Sequence, residues 1–187
     1  MKHRVALALL LLTLEACLPV DDMGGYWSKA GKDPGLAGSW RVVGGGSGNQ
    51  GLVRQFLQAG DSYELANLNA QGQPVRVDPR PLAIRTMQVG RYKLLVFAAV
   101  NPAGKREGII IGYKLDGDVL EMYDLFGPSW REFAQQRYPT AANMKKNRGE
   151  GDYLRILTFD DQVARMISEV PDTDEFWALF ERLVRIR

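Results

Sequence analysis

The segment from Leu82 to Leu125 carries the strongest strand signal of the chain and reads LAIRTMQVGRYKLLVFAAVNPAGKREGIIIGYKLDGDVLEMYDL. Apolar, β-branched and aromatic residues fill four short segments of it. Gly90, a Pro-Ala-Gly tripeptide and Asp116-Gly117 supply the turn residues between these segments. Because each connection is only a few residues long, neighbouring segments must run antiparallel. The stretch therefore predicts four consecutive strands joined by hairpins.

The same alternation continues on the N-terminal side of this stretch. The full set of predicted strands is Ser39–Val43, Leu52–Gln58, Ser62–Asn69, Val75–Val77, Leu82–Val89, Arg91–Val100, Gly108–Leu115 and Val119–Leu125. Short strands at regular spacing, with no long helical crossover, predict an antiparallel meander that closes into a barrel or folds into a sandwich. The glycine-rich run 44–51 opens a strand and lacks the Lys-Ser/Thr pair of a phosphate loop, so we interpret it as a flexible hairpin loop.

Beyond Leu125 the spacing of the apolar residues becomes helical. The predicted elements are a helix from Pro128 or Ser129 through Tyr138, a strand over Tyr153–Phe159, a helix from Asp160 or Asp161 to about Val170, and a third helix that buries Phe176, Leu179, Phe180 and Leu183. Residues 184–187 either continue the third helix or form a short final strand. The predicted fold class is mainly β, a meander closed as a barrel or sandwich, with two to three C-terminal helices.

Length and composition agree with one compact domain. The chain has 187 residues, of which 45% are hydrophobic and 25% charged, and this excludes disordered, collagenous and coiled-coil chains. A formal net charge of +2 gives no electrostatic basis for binding nucleic acid. We therefore expect a single domain over residues 37–187 and no nucleic-acid partner.

The first residues have the form of a secretory signal. Lys2 and Arg4 precede the apolar run Val5–Leu14, which is too short to span a bilayer as a helix. We therefore expect the chain to be exported.

Residues 14–17 read Leu-Glu-Ala-Cys and resemble the lipobox of bacterial lipoproteins, in which a Leu and two small residues precede the Cys. Glu15 departs from the small residue of that pattern. The resemblance implies that residues 1–16 are a cleaved signal peptide and that Cys17 carries acyl chains, which anchor the protein to a membrane. Leu18, in the place of a retention Asp, favours the outer membrane by the same resemblance. The alternative is that Cys17 is a free structural thiol.

Residues 17–36 are expected to form a flexible tether, because they contain Pro and Gly repeatedly and show no apolar periodicity. The aromatic pair Tyr26-Trp27 interrupts this segment. Two interpretations remain open: the pair sits at the level of the lipid headgroups, as interfacial aromatic residues do, or it plugs one end of the domain.

Processing would remove the most reactive side-chain types. The single His of the chain, His3, leaves with the signal peptide, and the single Cys is the expected lipid site. The mature chain would then lack nucleophile–His pairs and the His or Cys ligands of zinc, copper and haem sites. We therefore expect no metal, no cofactor and no enzymatic activity, since only carboxylate, Lys, Tyr or Ser chemistry would remain.

The first predicted strand opens with Gly38-Ser39-Trp40, which resembles the Gly-x-Trp at the start of the lipocalin barrel. In that superfamily the Trp closes one end of the barrel, often beneath an Arg from the last strand. The resemblance implies structural roles for Gly38 and Trp40 and makes Arg185, or else Arg187, the candidate partner of the ring. It also implies a barrel that holds a small hydrophobic or amphipathic ligand.

One hairpin can be placed in register. If Asp116-Gly117 is a two-residue turn, Leu115 pairs with Asp118, and side chains opposite each other share a face. The inner face then carries Ile109, Ile111, Tyr113, Leu115, Leu120 and Met122, with Asp124 at its edge. The candidate ligand-binding residues are Ile109, Ile111, Tyr113, Met122 and Asp124. Asp124 either marks a ligand site or is paired with an Arg near the barrel mouth.

Two charged patterns each have two interpretations. Asp160-Asp161 and Asp174-Glu175 are adjacent carboxylates of the kind that act as acid and base, but both lie at predicted helix starts, where capping explains them. The basic run 145–148 either contacts lipid phosphates or belongs to a solvated loop.

Three functions follow from these expectations. The favoured one is a lipid-anchored, non-enzymatic envelope protein that binds a small hydrophobic or amphipathic ligand in a lipocalin-like barrel. The alternative is a structural or assembly accessory that docks on a larger envelope complex, and the third is an enzyme with carboxylate or Tyr/Lys chemistry. A large internal cavity would favour the first, and a filled barrel with an exposed aromatic patch would favour the second.

Overall fold

A computed structural model of the chain describes residues 18–75, 82–125, 128–140, 142–147 and 151–187. The expected signal peptide and Cys17 lie outside these residues. The described strands are β1 (Leu18–Val20), β2 (Gly38–Gly44), β3 (Val53–Ala59), β4 (Ser62–Leu68), β5 (Ala83–Val89), β6 (Tyr92–Val100), β7 (Arg106–Asp116), β8 (Val119–Leu125), β9 (Ala142–Asn147), β10 (Gly151–Ile156) and β11 (Trp177–Arg185). The described helices are α1 (Tyr26–Lys29), α2 (Pro128–Arg137) and α3 (Asp161–Ser168), and a 3-10 turn spans Pro34–Leu36.

Eight of the described strands form a closed antiparallel barrel. Strands β2 to β8 pair in chain order, and β11 then pairs with both β8 and β2, which closes the ring. The prediction of a mainly β protein whose antiparallel meander closes, with appended helices, is confirmed; of the two to three C-terminal helices expected, the described residues contain two. The predicted strand at 75–77 is not one of the barrel strands: the described residue Val75 lies outside them, and residues 76–77 are outside the described part of the chain.

The eighth barrel strand is where the prediction was wrong. The segment expected to form the third helix is strand β11. Its pairing with β8 shifts between Leu179 and Glu181, so Phe180 is an extra residue in the ladder. Such a bulge interrupts the alternation of a strand, and here it gives the apolar residues a spacing that imitates a helix.

The β7–β8 hairpin turns at Gly117-Asp118, one residue later than expected, so Tyr113 pairs with Met122. Gly117 has a φ of +54°, and no described non-glycine residue has a positive φ. A positive φ at the first central position only is typical of a type II′ turn, which favours Gly there. The pairs move by two positions, so every side chain stays on the face that was predicted for it.

Residues 18–36, expected to form a flexible tether, lie against the barrel instead. Strand β1 pairs antiparallel with β7, and Leu18 and Val20 are 2% and 1% exposed. Leu36 is fully buried at the start of the barrel. The Pro and Gly residues of this segment prevent long helices or strands from forming. Its apolar residues are nevertheless buried against the barrel, because burial removes them from water.

Strands β9 and β10 form a hairpin outside the barrel, and Val20 of β1 pairs in parallel with Ile156 of β10. Strand β10 overlaps the predicted strand 153–159. Strand β9 includes residues 145–147, which were expected to lie in a basic loop. Its Lys and Asn residues have low strand propensity and are typical of an edge strand, which is the position that β9 takes.

Helices α2 and α3 lie where the sequence predicts them. The Asp160 side chain caps α3 by accepting a hydrogen bond from the Val163 amide at 3.0 Å, which confirms the capping interpretation. The second acidic pair does not start a helix. Its Glu175 accepts a hydrogen bond from the Ser129 hydroxyl at 2.5 Å and so ties α2 to the segment before β11.

The buried apolar residues form two cores, one on each side of the barrel wall. The inner core is Leu36, Trp40, Val42, Phe56, Tyr63, Ile84, Leu95, Phe97, Ile111, Tyr113, Leu120, Met122 and Leu183. The outer core is Leu18, Val20, Met23, Ala30, Met87, Val89, Tyr92, Leu94, Val96, Ala98, Ile110, Leu125, Trp130, Ala134, Tyr138, Ile156, Phe159, Val163, Met166, Ile167, Val170 and Trp177. Strand β6 supplies residues to both cores in alternation, so it is buried on both faces.

Candidate functional site

The interior of the barrel is packed with side chains. Of the candidate ligand-binding residues, Ile111, Tyr113 and Met122 belong to the inner core, and each is at most 4% exposed. A side chain that lined a hydrated or ligand-sized cavity would remain accessible to a water-sized probe. The described inner core therefore leaves no ligand-sized space inside the barrel beside these three residues, and Tyr113 alone of the three also lines a cleft outside it.

The other two candidates lie farther along the same wall. Ile109 is half-buried and pairs with Phe97 on one side and with Pro19 on the other. Asp124 is buried and lies opposite Ala178 of β11. The structure therefore spreads the candidates along β7 and β8, without a common cavity among the described residues.

One end of the barrel, which we call the tryptophan end, is closed by Trp40 and Arg185. The buried Trp40 side chain donates a hydrogen bond from Nε1 to the Leu36 carbonyl at 2.8 Å. The Arg185 guanidinium lies 4.1 Å from the centre of the Trp40 ring. It also donates hydrogen bonds to the Gly35 carbonyl at 2.5 Å and the Ala37 carbonyl at 2.8 Å. The cation–π contact and these bonds hold the chain across the barrel end.

Gly38 and Arg187 contribute differently to this end. Gly38 has a φ of +117°, and a Cβ there would lie 3.2 Å from Arg185 Nη1. Glycine at this position therefore leaves room for the guanidinium. Arg187 is exposed and pairs with Asp118 at 2.5 Å, so Arg185 is the arginine that contacts Trp40.

A polar cluster fastens the segment before β2 at the tryptophan end. Asp33 Oδ2 accepts hydrogen bonds from the Tyr113 hydroxyl at 2.9 Å and from Lys93 Nζ at 3.3 Å. The Tyr63 hydroxyl donates to the Asp33 carbonyl at 3.0 Å. Partial burial acts to raise the pKa of Asp33, but the hydrogen bonds from Tyr113, the Gly35 amide and Lys93 outweigh it and lower that pKa. Asp33 is therefore a stable anion in a structural bridge.

The opposite end, which we call the glycine-loop end, is closed by a charged network. Glu181 is fully buried and accepts hydrogen bonds from Arg54 Nη2 at 2.5 Å and Nε at 3.1 Å. Arg54 also donates to Asn67, and Asn49 of the glycine-rich run donates to Glu181 at 2.7 Å. Gly45 has a φ of +108°, and a Cβ there would approach a carbonyl oxygen of β11 to 2.3 Å. The loop expected to be flexible is therefore fastened across this end.

A cleft of about 260 Å³ lies on the outer wall of the barrel, near the tryptophan end. It opens where the β6–β7 ladder stops at the pair Lys93 and Tyr113, while β7 continues. Trp177 lines the cleft and lies against Gly112, where a Cβ would approach the indole ring to 2.5 Å. Tyr92 packs on Trp177 with the ring centres 4.4 Å apart. Two buried rings therefore form the base of the cleft.

Charged side chains stand at the rim of this cleft. The Lys114 side chain is 61% exposed, and its Nζ lies 5.3 Å from the centre of the Tyr123 ring and 3.8 Å from the Asp172 carboxylate. On the other side, Arg91 donates a hydrogen bond to the Val170 carbonyl at 3.1 Å. The rim therefore holds Arg91, which is bonded to a carbonyl, and the exposed Lys114, beside a third cation, Lys93.

Two polar groups of the cleft differ in how they are satisfied. The Tyr123 hydroxyl donates to Glu121 at 2.5 Å, and desolvation together with this bond raises the pKa of Tyr123 to about 12. Its phenol is therefore neutral at physiological pH. Trp177 is 6% exposed, and its Nε1 has no hydrogen-bond acceptor within the described part of the chain. This nitrogen is itself buried, so it does not lie on the surface of the cleft.

Of the candidate ligand-binding residues, Tyr113 lines this cleft, but the sequence did not point to the other residues that form it. Tyr92, Lys114 and Trp177 are far apart in the chain, and the strand that carries Trp177 was expected to be a helix. One signal was present: Gly112 stands alone inside a strong strand pattern, where a glycine often marks a close approach. The Gly112–Trp177 contact is such an approach.

The aromatic pair Tyr26-Trp27, which the sequence singled out, packs against other parts of the chain. Tyr26 lies 4.9 Å from Phe159, and Trp27 lies between the guanidinium groups of Arg85 and Arg106, at 4.6 Å and 4.4 Å. The aromatic pair therefore covers the outer wall, and both rings are only partly exposed. The side chains of the basic run 145–148 lie outside the described part of the structure.

Residues 18–75, 82–125, 128–140, 142–147 and 151–187 contain no group of three or more metal-ligating side chains placed to hold a metal ion. None of the described helices is long and apolar enough to cross a membrane. Comparison with protein-family models, with curated proteins and with solved structures gives no match in any of the three. Functional inference therefore depends on the geometry of the molecule itself.

Proposed function

We propose that this chain is an exported, lipid-anchored, non-enzymatic binding protein of the bacterial envelope, built on a lipocalin-like barrel. Its binding surface is the outer wall of the barrel, and its ligand is small and amphipathic. The observation that carries this proposal is the contrast between a packed interior and a cleft of about 260 Å³ on the outer wall.

The lipocalin-like character is supported by the tryptophan end. Trp40 follows Gly38 in the first barrel strand, and Arg185 of the last barrel strand lies over its ring. This is the arrangement that the Gly-x-Trp resemblance implies. Eight-stranded barrels either fill their interior with side chains or hold one small ligand there, so a packed interior is compatible with this architecture.

The anchor is supported by the apolar run and by the Leu-Glu-Ala-Cys sequence that ends at Cys17. Two acyl chains give stable attachment to a membrane, whereas a single one is marginal. Leu18 after the Cys favours the outer membrane.

A non-enzymatic role is supported by side-chain chemistry. After processing, the chain has neither His nor a free Cys. Asp33 and Tyr113, which could serve as a carboxylate and a phenol in catalysis, are bonded to each other at 2.9 Å and hold the barrel end together. Their mutual hydrogen bond gives both groups a structural role at this end of the barrel.

Mass spectrometry of the full chain, expressed in a diderm bacterium and extracted in mild detergent, tests the proposal. The expected result is cleavage before Cys17 with added lipid, together with a co-extracted small molecule in the native spectrum. An unmodified Cys17 overturns the anchor. A ligand-free protein, or turnover of an ester, glycan or peptide, overturns the binding function.

A second candidate function is a docking accessory of a larger envelope complex, and the packed inner core favours it. Chemical cross-linking in intact cells before extraction separates the two. One defined protein adduct and no small molecule would support docking, whereas a co-extracted small molecule without an adduct would support binding.

A further inference from the structure

We propose that the cleft on the outer wall binds a small organic anion built on a single ring, either aromatic or sugar, that carries a carboxylate or phosphate. The inference rests on the proposed binding function and names its ligand class.

The size of the cleft limits the ligand. Pockets that enclose drug-sized molecules have volumes of roughly 300–1,000 Å³. A cleft of about 260 Å³ therefore has room for one ring and its acidic substituent. A lipid acyl chain or a folded peptide would need a longer groove.

The surface of the cleft suits the face of a ring. Tyr92 and Trp177 form its base, and the partly exposed Tyr123 ring forms one wall. Flat aromatic surfaces favour offset or edge contacts with another ring. Gly112 is essential to this arrangement, because a Cβ there would displace the Trp177 indole from its place.

The charge of the rim selects an anion. Arg91, Lys93 and Lys114 line the cleft beside one carboxylate, Asp172, and a second, Glu121, accepts the hydrogen bond of the Tyr123 hydroxyl. Lys93 is already paired with Asp33, and Arg91 is held by the Val170 carbonyl. The Lys114 Nζ is 3.8 Å from Asp172, too far for a hydrogen bond, so its donors can turn to a ligand.

The charged contact comes from the rim. The Lys114 ammonium has donors available for the anionic group of the ligand, and the rings of the cleft contact the ring of the ligand. The cleft therefore offers a cation above an aromatic surface.

Isothermal titration calorimetry of the detergent-extracted full chain tests the proposal. The probes are benzoate, phenyl phosphate and glucuronate, with benzyl alcohol and methyl glucoside as neutral counterparts. We expect at least one anion to bind and its neutral counterpart not to bind, at concentrations up to about 10 mM. Binding of the aromatic acids alone assigns an aromatic ligand, and binding of glucuronate alone assigns a sugar acid.

Two variants with opposite expected effects separate binding from folding. Lys114→Met should weaken binding about tenfold, because it removes a charge-assisted hydrogen bond. Asp172→Asn should strengthen it about threefold, because it removes the competing carboxylate. A folding defect would weaken binding in both variants.

Lys29→Met is the matched control. Lys29 lies 4.2 Å from the Tyr26 ring centre and 3.9 Å from Asp161, which repeats the Lys–Tyr–Asp arrangement of the cleft at another surface position. The Lys29→Met variant should bind the anion with the affinity of the wild-type protein. Two results from the variants would overturn the proposal: equal weakening of binding in Lys29→Met and Lys114→Met, or no effect of Lys114→Met. Two results from the probes would also overturn it: equal binding of the neutral probes, or no binding of any probe. A different ligand in the native mass spectrum would then leave the binding function in place.

Discussion

The two cores of this molecule, separated by the barrel wall, satisfy their polar groups differently. In the inner core, the Trp40 indole N–H is bonded to a carbonyl, and the buried Glu181 is bonded to Arg54 and Asn49. In the outer core, the indole N–H groups of Trp130 and Trp177 have no acceptor among the described residues. The indole N–H at the barrel end is therefore bonded within the described part of the chain, whereas the two indole N–H groups of the outer layer are not.

The largest expected effect tests the inner core. Trp40→Ala should lower the free energy of unfolding by about 3–5 kcal/mol, because it removes a fully buried ring and its contact with Arg185. Chemical denaturation monitored by circular dichroism measures this change. Trp40→Phe is the control, and it should retain part of the stability. A loss below about 0.5 kcal/mol in Trp40→Ala, as at surface positions, would contradict the closing role of this ring.

The buried ion pair gives the second test of the same core. Glu181→Ala should cost about 3 kcal/mol, because it leaves the Arg54 charge buried without its carboxylate. The double variant Arg54→Met, Glu181→Leu should recover most of this loss, since it replaces both charges with apolar groups. The thermal midpoints of the two proteins decide the question. If the double variant is less stable than Glu181→Ala, the hydrogen-bond network around Glu181 stabilises the fold by more than the pairing of these two charges.

The outer core is tested through α3. Met166→Ala should cost about 2–3 kcal/mol, because Met166 is fully buried against the barrel wall. Hydrogen exchange should show faster exchange in α3 while the strands that line the inner core keep their protection. Leu120→Ala, in the inner core, is the matched control and should affect all strands. Uniform loss of protection in both variants would mean that the two cores unfold as one unit.

The smallest expected effect concerns acid. The pKa of Asp33 is lowered in the folded chain, so its carboxylate contributes stability above the ordinary Asp pKa of about 3.9, and this contribution is lost as pH falls through the lowered value. Because Asp33 is partly exposed, we expect about 1 kcal/mol. Unfolding at pH 6 and pH 3 measures the difference. Asp33→Asn should show a smaller loss between these two pH values, and an unchanged loss would contradict the assignment.

The barrel could be predicted because its signals are local. Turn residues such as Gly60 and Gly90 separate strands whose apolar residues alternate, and seven of the eight described barrel strands were found within a few residues of their ends. The last strand was missed because the bulge at Phe180 and the buried Glu181 disturb the alternation that identifies a strand.

The cleft could not be predicted for a different reason. It depends on where β6 ends relative to β7, and on the packing of Trp177 against Gly112 across the sheet. Register and the order of strands are set by contacts between residues far apart in the chain, and periodicity carries no information about them. The Trp40–Arg185 contact was anticipated only because a resemblance to a known barrel suggested it.

Closure of the ring by β11 has a consequence for how the chain folds. The bond between Arg185 and the Ala37 carbonyl joins residues 148 positions apart, so the ring can close only after nearly the whole polypeptide is present. Before that moment, β2 and β8 are open sheet edges with unpaired amides and carbonyls, which are templates for association with other chains. High contact order slows such a step. A shortened C-terminus that lacks residues 177–187 should therefore accumulate as aggregates during synthesis, before any loss of binding could be observed.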